Sequence, residues 1–115
     1  MKFEWDPEKE KINLNKHGVT FEQASYVFSD PFALNKYDDN HSTGEDRWIL
    51  LGKSINETLL VVVHTFRNDT DIEYVRIISA RKASNSEQHS YQLRCPKWKM
   101  STILQMQNKV NFTDH

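Results

Sequence analysis

The run Glu73 to Tyr91, EYVRIISARKASNSEQHSY, constrains this chain most, because its period changes partway along. Tyr74 to Ala80 is rich in β-branched and aromatic residues and lacks Gly and Pro, which predicts a strand buried on at least one face. Strand alternation puts Val75, Ile77, Ser79 and Arg81 on one face and Tyr74, Arg76, Ile78 and Ala80 on the other. Each guanidinium on such a strand needs an anion or the sheet rim. Ser84-x-x-Glu87 then forms a capping box, so a helix is expected to open near Asn85 with Glu87 and Tyr91 one turn apart. A strand ending in Arg81-Lys82 and entering a capped helix suits a phosphate site. It equally suits a plain structural join, and both readings stay open here.

A chain of 115 residues is one domain with a real core. Its longest apolar run, Leu59 to Val63, is strand-sized, far short of the ~20 residues of a membrane helix. The opening Met1-Lys2-Phe3-Glu4-Trp5-Asp6 carries no signal-peptide core, and Cys95 is the single cysteine, so a reducing cytoplasm is the expected location. Charge is uneven. Residues 94–115 set Arg94, Lys97, Lys99 and Lys109 against Asp114, a balance of +3, while the whole chain is −1 and the body therefore −4. An acidic body does not coat nucleic acid through bulk charge, so any polyanion site must be a local arginine cluster.

Read in order, Phe3 to Trp5 forms a short strand. Asp6 N-caps a helix with Pro7 at its first position, and Gly18 supplies the left-handed residue after its end. Lys16 and His17 are last-turn cations that complement the helix dipole. Thr20-x-x-Gln23 caps a second helix carrying Phe21, Ala24, Val27 and Phe28 on its core face, and Asp30-Pro31 stops it. These two helices make an N-terminal αα-hairpin. Phe32 to Tyr37, Asp46 to Lys53 and Thr58 to Phe66 then read as strands, separated by the loop Asp38–Glu45 and the turn Ser54–Glu57. With Asn68–Asp71 as the next turn, the whole is α+β: the hairpin packs on an antiparallel β-meander with a C-terminal helix. Residues 1–93 form the domain, and 94–115 are a helical extension in which Trp98, Met100, Ile103, Leu104 and Val110 suit an amphipathic face.

Metal and cofactor chemistry find little support. Asp38, Asp39, Asn40, Asp69 and Asp71 lack the spacing of a calcium loop and are explained by turn chemistry. The histidines at 17, 41, 64, 89 and 115 form no i,i+4 zinc pair, and no Gly-rich phosphate loop appears. His64, which ends an apolar run and precedes Arg67, is the best titratable candidate. A symmetric Ser54–Glu57 turn sets it opposite Arg47, and a symmetric Asn68–Asp71 turn adds Arg81 to its face, or Arg76 with a one-residue shift. Such a cluster suits cleavage of a phosphodiester without metal, the imidazole moving protons and the arginines neutralising phosphate. A half-buried histidine on a backbone carbonyl, with arginines in separate surface ion pairs, remains the competing account.

The segments FEWDPEKEKINLNKHGVTFEQASYVFSDP, GEDRWILLG, LLVVVHTFR and RIISARKASNSEQHSY resemble, in order and spacing, the BrnT family of type II toxins over about residues 2–93. The resemblance implies a RelE-like ribonuclease fold without cofactor, RNA cleavage that halts translation, and neutralisation by a BrnA-like antitoxin. That antitoxin alone would contact operator DNA, and toxin and antitoxin would form a dimer or higher complex. By motif, the resemblance assigns His64, Arg67, Arg76, Arg81 and Tyr91 to catalysis and Lys16, His17, Arg47 and Lys82 to substrate. For RelE-like enzymes it implies attack of the RNA 2′-hydroxyl on the adjacent phosphate, leaving a 2′,3′-cyclic end. An inactive antitoxin-binding module is the alternative.

Overall fold

The computed structural model describes residues 1–94, and the expectations for the helical extension lie outside that range. The strands are β1 (Lys2–Glu4), β2 (Leu34–Tyr37), β3 (Trp48–Lys53), β4 (Leu59–Asp69) and β5 (Ile72–Lys82). The helices are α1 (Pro7–His17), α2 (Phe21–Ser25), which continues as a 3-10 turn over Tyr26–Ser29, and α3 (Asn85–Arg94). The class is mixed α+β around one five-stranded sheet.

The capping chemistry read from the sequence is present. The Asp6 carboxylate accepts from Glu8 N at 2.9 Å, Pro7 opens α1, and Gly18 ends it at φ 70° with its N–H on Leu14 O. Thr20 and Gln23 form the reciprocal capping box of α2. The second helix is shorter than expected, five residues, because Tyr26–Ser29 tightens into the 3-10 turn. Both helices pack on β5, leaving Val19, Phe21, Ala24 and Val27 almost wholly buried. Gly52 makes this packing possible at β3. A Cβ there would stand 2.9 Å from Ala33 Cβ and 3.0 Å from Val27 Cγ1, so the turn after α2 sits directly on the strand.

The sheet order is β1-β5-β4-β3-β2. From β2 to β5 it is the expected antiparallel meander, but β1 adds a parallel edge strand beside β5, with Glu4 opposite Arg76. Two layers of core result. The helix-covered face joins Leu50, Leu60, Val62, Val75, Ile77 and Ala80 to the α1–α2 residues. On the other face Leu51, Val61, Ala83 and Tyr91 cluster beneath α3.

Register departs from the symmetric-turn expectation in two places. The β3–β4 loop holds one residue more than expected: Lys53 pairs with Leu59, and Asn56 and Glu57 take positive φ to absorb it. His64 is therefore opposite Trp48, not Arg47. The β4–β5 turn closes instead at Asp69 and Ile72 around Thr70, at φ 55°, and the register slips between Val63 and His64, leaving Ile78 as an extra residue on β5. That bulge reverses the alternation of β5, so Arg81 joins Arg76 on the face opposite His64. Neither arginine shares the His64 face, contrary to both registers anticipated from the sequence.

Candidate functional site

The α3 helix covers only part of its face of the sheet. Beyond it, Thr65, Arg67 and Arg76 line an open groove of about 680 Å³ with Glu4, Trp5, Asp6, Glu45 and Phe66. Register explains the gathering. Glu4 pairs with Arg76 and Arg76 with Thr65. Extending the β3–β4 register one residue past Trp48 sets Arg47 opposite Thr65. Arg47 O in turn accepts from Asp38 N at 2.9 Å. Glu4, Arg76 and Thr65 thus form one row across β1, β5 and β4, and Arg47 and Asp38 continue it just past the ends of β3 and β2.

The cations in and beside this groove differ in their partners. Arg67 makes a two-pronged ion pair with Glu4, at 3.0 and 3.1 Å, and its guanidinium stacks 4.3 Å from the centre of the Tyr74 ring. The hydrogen bond from Arg67, with the charge of Arg76, holds the Glu4 carboxyl below its ordinary range. Arg76 is exposed, with no ion pair among the described residues. Arg47 lies 3.8 Å from Glu45, and its Nε is buried without a hydrogen-bond partner among the described residues. The groove therefore offers one exposed guanidinium, Arg76, and one paired with a carboxylate, Arg67, while Arg47 stands outside its lining, half-buried and underused.

His64 stands elsewhere. It is 1% exposed on the helix-covered face, edge-on to Phe28 and Phe66 at 4.8 and 5.1 Å between ring centres. Its Nδ1 donates to Val62 O at 3.3 Å, and burial lowers its pKa to about 4. A neutral imidazole satisfied by a carbonyl matches the competing account given above.

The remaining candidates collect at the opposite end of β5, where Arg81 and Lys82 lie about 17 and 20 Å along the strand from Arg76 at ~3.3 Å per residue. Arg81 makes a two-pronged pair with Glu87, 2.8 Å to each oxygen, and Glu87 also accepts from Ser84 N at 2.7 Å, closing the expected capping box. Lys82 lines a separate cavity with Gly18, at the end of α1 that carries Lys16 and His17. Tyr91 is 1% exposed and its hydroxyl donates to Asp30 Oδ2 at 2.6 Å, an oxygen that also accepts from Lys53 N. Sequence reasoning missed Glu4, Asp6, Glu45 and Thr65, because nothing local marks β1 as the parallel neighbour of β5.

The architecture defines a small α+β protein built on one five-stranded sheet. Its fold is similar to the Brucella abortus ribonuclease toxin, BrnT, at TM-score 0.53 and 24% identity, over 74% of this chain and 99% of that one. A family model described as ribonuclease toxin, BrnT, of type II toxin-antitoxin system matches residues 5–87, and the chain belongs to that family. It is thus a BrnT-type ribonuclease toxin, and membership of a type II system implies an antitoxin partner. No curated protein matches the chain.

Proposed function

We propose that this toxin cleaves RNA held in the Arg67–Arg76 groove, halts translation, and is neutralised by a BrnA-like antitoxin. The observation that carries the reading is the meeting of Arg67 and Arg76 in the groove that α3 leaves open, with Arg47 beside Thr65 on the extended β3–β4 register. In it, Arg76 and Arg47 hold a phosphate above Thr65, and Arg67 joins them when the substrate displaces Glu4. The RNA 2′-hydroxyl attacks the adjacent phosphorus and the 5′-oxygen leaves, giving a 2′,3′-cyclic phosphate. Arginines neutralise the charge that a metal would otherwise meet, so the reaction runs without one. The sheet is read as RelE-like, with α1 and α2 as its αα-hairpin.

Lys16, His17, Arg81 and Lys82 take no part in the reacting centre, given their distance from Arg76. His64 and Tyr91 are read as packing residues, His64 because it is buried on the other face. The cytoplasm is the expected location. The pairing of Arg67 with Glu4 favours a second reading, an inactive module that keeps only the antitoxin interface.

Purified protein incubated with labelled RNA and excess chelator separates these readings. Cleavage to cyclic-phosphate ends, lost in Arg76→Ala, is the expected result. Cleavage restored only by added divalent metal removes the metal-free mechanism, and no cleavage under either condition favours the inactive module.

A further inference from the structure

The row that carries the arginines ends, just past β2, in a histidine–carboxylate pair. Asp38 is 8% exposed, and both its carboxylate oxygens face His41 Nδ1, at 3.1 and 3.2 Å. A carboxylate only accepts, so Nδ1 carries the hydrogen and Nε2 is left as the acceptor. The His41 side chain is 69% exposed, so that acceptor is open to a ligand. Ser42 braces the loop: its hydroxyl donates to Asp38 O at 2.5 Å and accepts from Arg47 N at 3.0 Å. Asp38 and Arg47 are cross-strand neighbours, and successive strands lie ~4.8 Å apart, so a phosphate above Thr65 lies about 10 Å from the Asp38 backbone. An aspartate side chain, a 3.1 Å hydrogen bond and the width of an imidazole together span about that distance when aimed at Thr65.

Resting on the ribonuclease reading above, we propose that His41 is the general base of the reaction and Asp38 the positioning residue that fixes its tautomer. No other histidine of the described residues competes: His64 is buried on the opposite face, His17 ends α1 at the far end of β5, and His89 lies on α3. In the step, neutral Nε2 takes the proton of the 2′-hydroxyl, and the 2′-oxygen forms its bond to phosphorus. The bond from phosphorus to the 5′-oxygen breaks with its electron pair on that oxygen, which takes a proton from water. The imidazolium then returns its proton to the hydroxide that remains. Asp38 stabilises the imidazolium, as a buried carboxylate at Nδ1 does in hydrolytic triads. Asp38 is the carboxylate in contact with the ring, and the other charged groups of the loop are Asp39, Glu45 and Asp46, with Arg47 following them along the chain. Asp46 is engaged by the Tyr37 hydroxyl at 2.9 Å.

The test is single-turnover cleavage of labelled RNA by the full chain across pH, with His41→Ala, His41→Gln, Asp38→Asn and Arg76→Ala. His41→Ala should lower the maximal rate by roughly 10²-fold or more and flatten the acid limb of the profile while RNA affinity is kept. Free imidazole should restore part of the lost rate. His41→Gln keeps a donor for Asp38 but has no base, so it should be as slow as the alanine variant, and Asp38→Asn should slow cleavage without weakening binding. A folded His41→Ala protein that cleaves at the wild-type rate overturns the proposal, as does a loss that His41→Gln repairs. If Arg76→Ala is slow in that case, only His41 is excluded. If both variants cleave normally, the groove itself is excluded.

Discussion

Asn13 acts as a strand for Ala80. Its Nδ2 donates to Ala80 O at 2.8 Å and its Oδ1 accepts from Ala80 N at 3.1 Å, across 67 positions of sequence. The edge strand β1 ends at Glu4, opposite Arg76, so β5 continues beyond its parallel partner and its backbone would otherwise lie buried and unpaired. The same amide nitrogen donates to Val19 O at 3.0 Å, tying the turn after α1 to the sheet. Asn13→Ala strands three backbone groups, Ala80 N, Ala80 O and Val19 O, and should cost about 2–4 kcal/mol. Asn13→Asp keeps the acceptor, loses the donor and buries a charge, and should cost at least as much. Urea denaturation of the two variants checks both, and a midpoint unchanged in Asn13→Ala would show that the pairing is without weight.

His64 gives the protein an acid-sensitive core. Burial lowers its folded pKa to about 4, below the ordinary ~6.5 of the unfolded chain. The unfolded state therefore binds the proton more readily, so stability is full above ~6.5 and falls as pH drops towards about 4. Roughly 3 kcal/mol is at stake over that window by linkage. His64→Leu should remove this dependence, measured as unfolding free energy between pH 7 and 4, and should leave RNA cleavage at neutral pH largely intact. Loss of cleavage in a variant of unchanged stability would return His64 to the reacting centre.

Glu87 sets a second, lower acid transition. The hydrogen bond from Arg81, reinforced by Ser84 N, pulls its pKa down to about 2. A depressed carboxyl contributes stability that is complete above its unfolded value of ~4.3 and disappears as pH falls through about 2. Arg81 and Glu87 are both partly exposed, so solvent screening reduces the contribution to about 1 kcal/mol. Glu87→Gln should lose that amount at neutral pH and fray the start of α3, and amide exchange at Ser84 and Glu87 reads the fraying. An identical pH dependence in the wild type and Glu87→Gln would rule the pair out as its source.

Glu4 restrains the groove. Because it occupies Arg67 at 3.0 and 3.1 Å, an incoming phosphate must displace a carboxylate. Glu4→Gln should tighten RNA binding roughly two- to fivefold, the scale of an exposed ion pair, and should steepen the fall of affinity with added salt. Arg67→Ala should abolish the difference between Glu4 and Gln at position 4. Fluorescence anisotropy of a labelled RNA at two salt concentrations measures both, and weaker binding by Glu4→Gln would contradict the competition.

What the sequence determined is mostly local chemistry. Asp6-Pro7, Gly18, Thr20-x-x-Gln23 and Ser84-x-x-Glu87 each satisfy backbone groups within a few residues, so their signals suffice to place the starts of α1, α2 and α3 and the end of α1. Runs such as LLVVVHTF declare strands for the same reason, and the four segments that resemble BrnT toxins sit on these elements. Which residues meet was decided by tertiary structure. One extra residue in the β3–β4 loop moved His64 from Arg47 to Trp48, and one at Ile78 carried Arg81 to the face of Arg76. A strand has a period of two, so a single residue reverses every side chain beyond it. The partners of the groove lay further from reach. Glu4 meets Arg67 across 63 positions because β1 pairs in parallel with β5, a long-range pairing written in no local pattern.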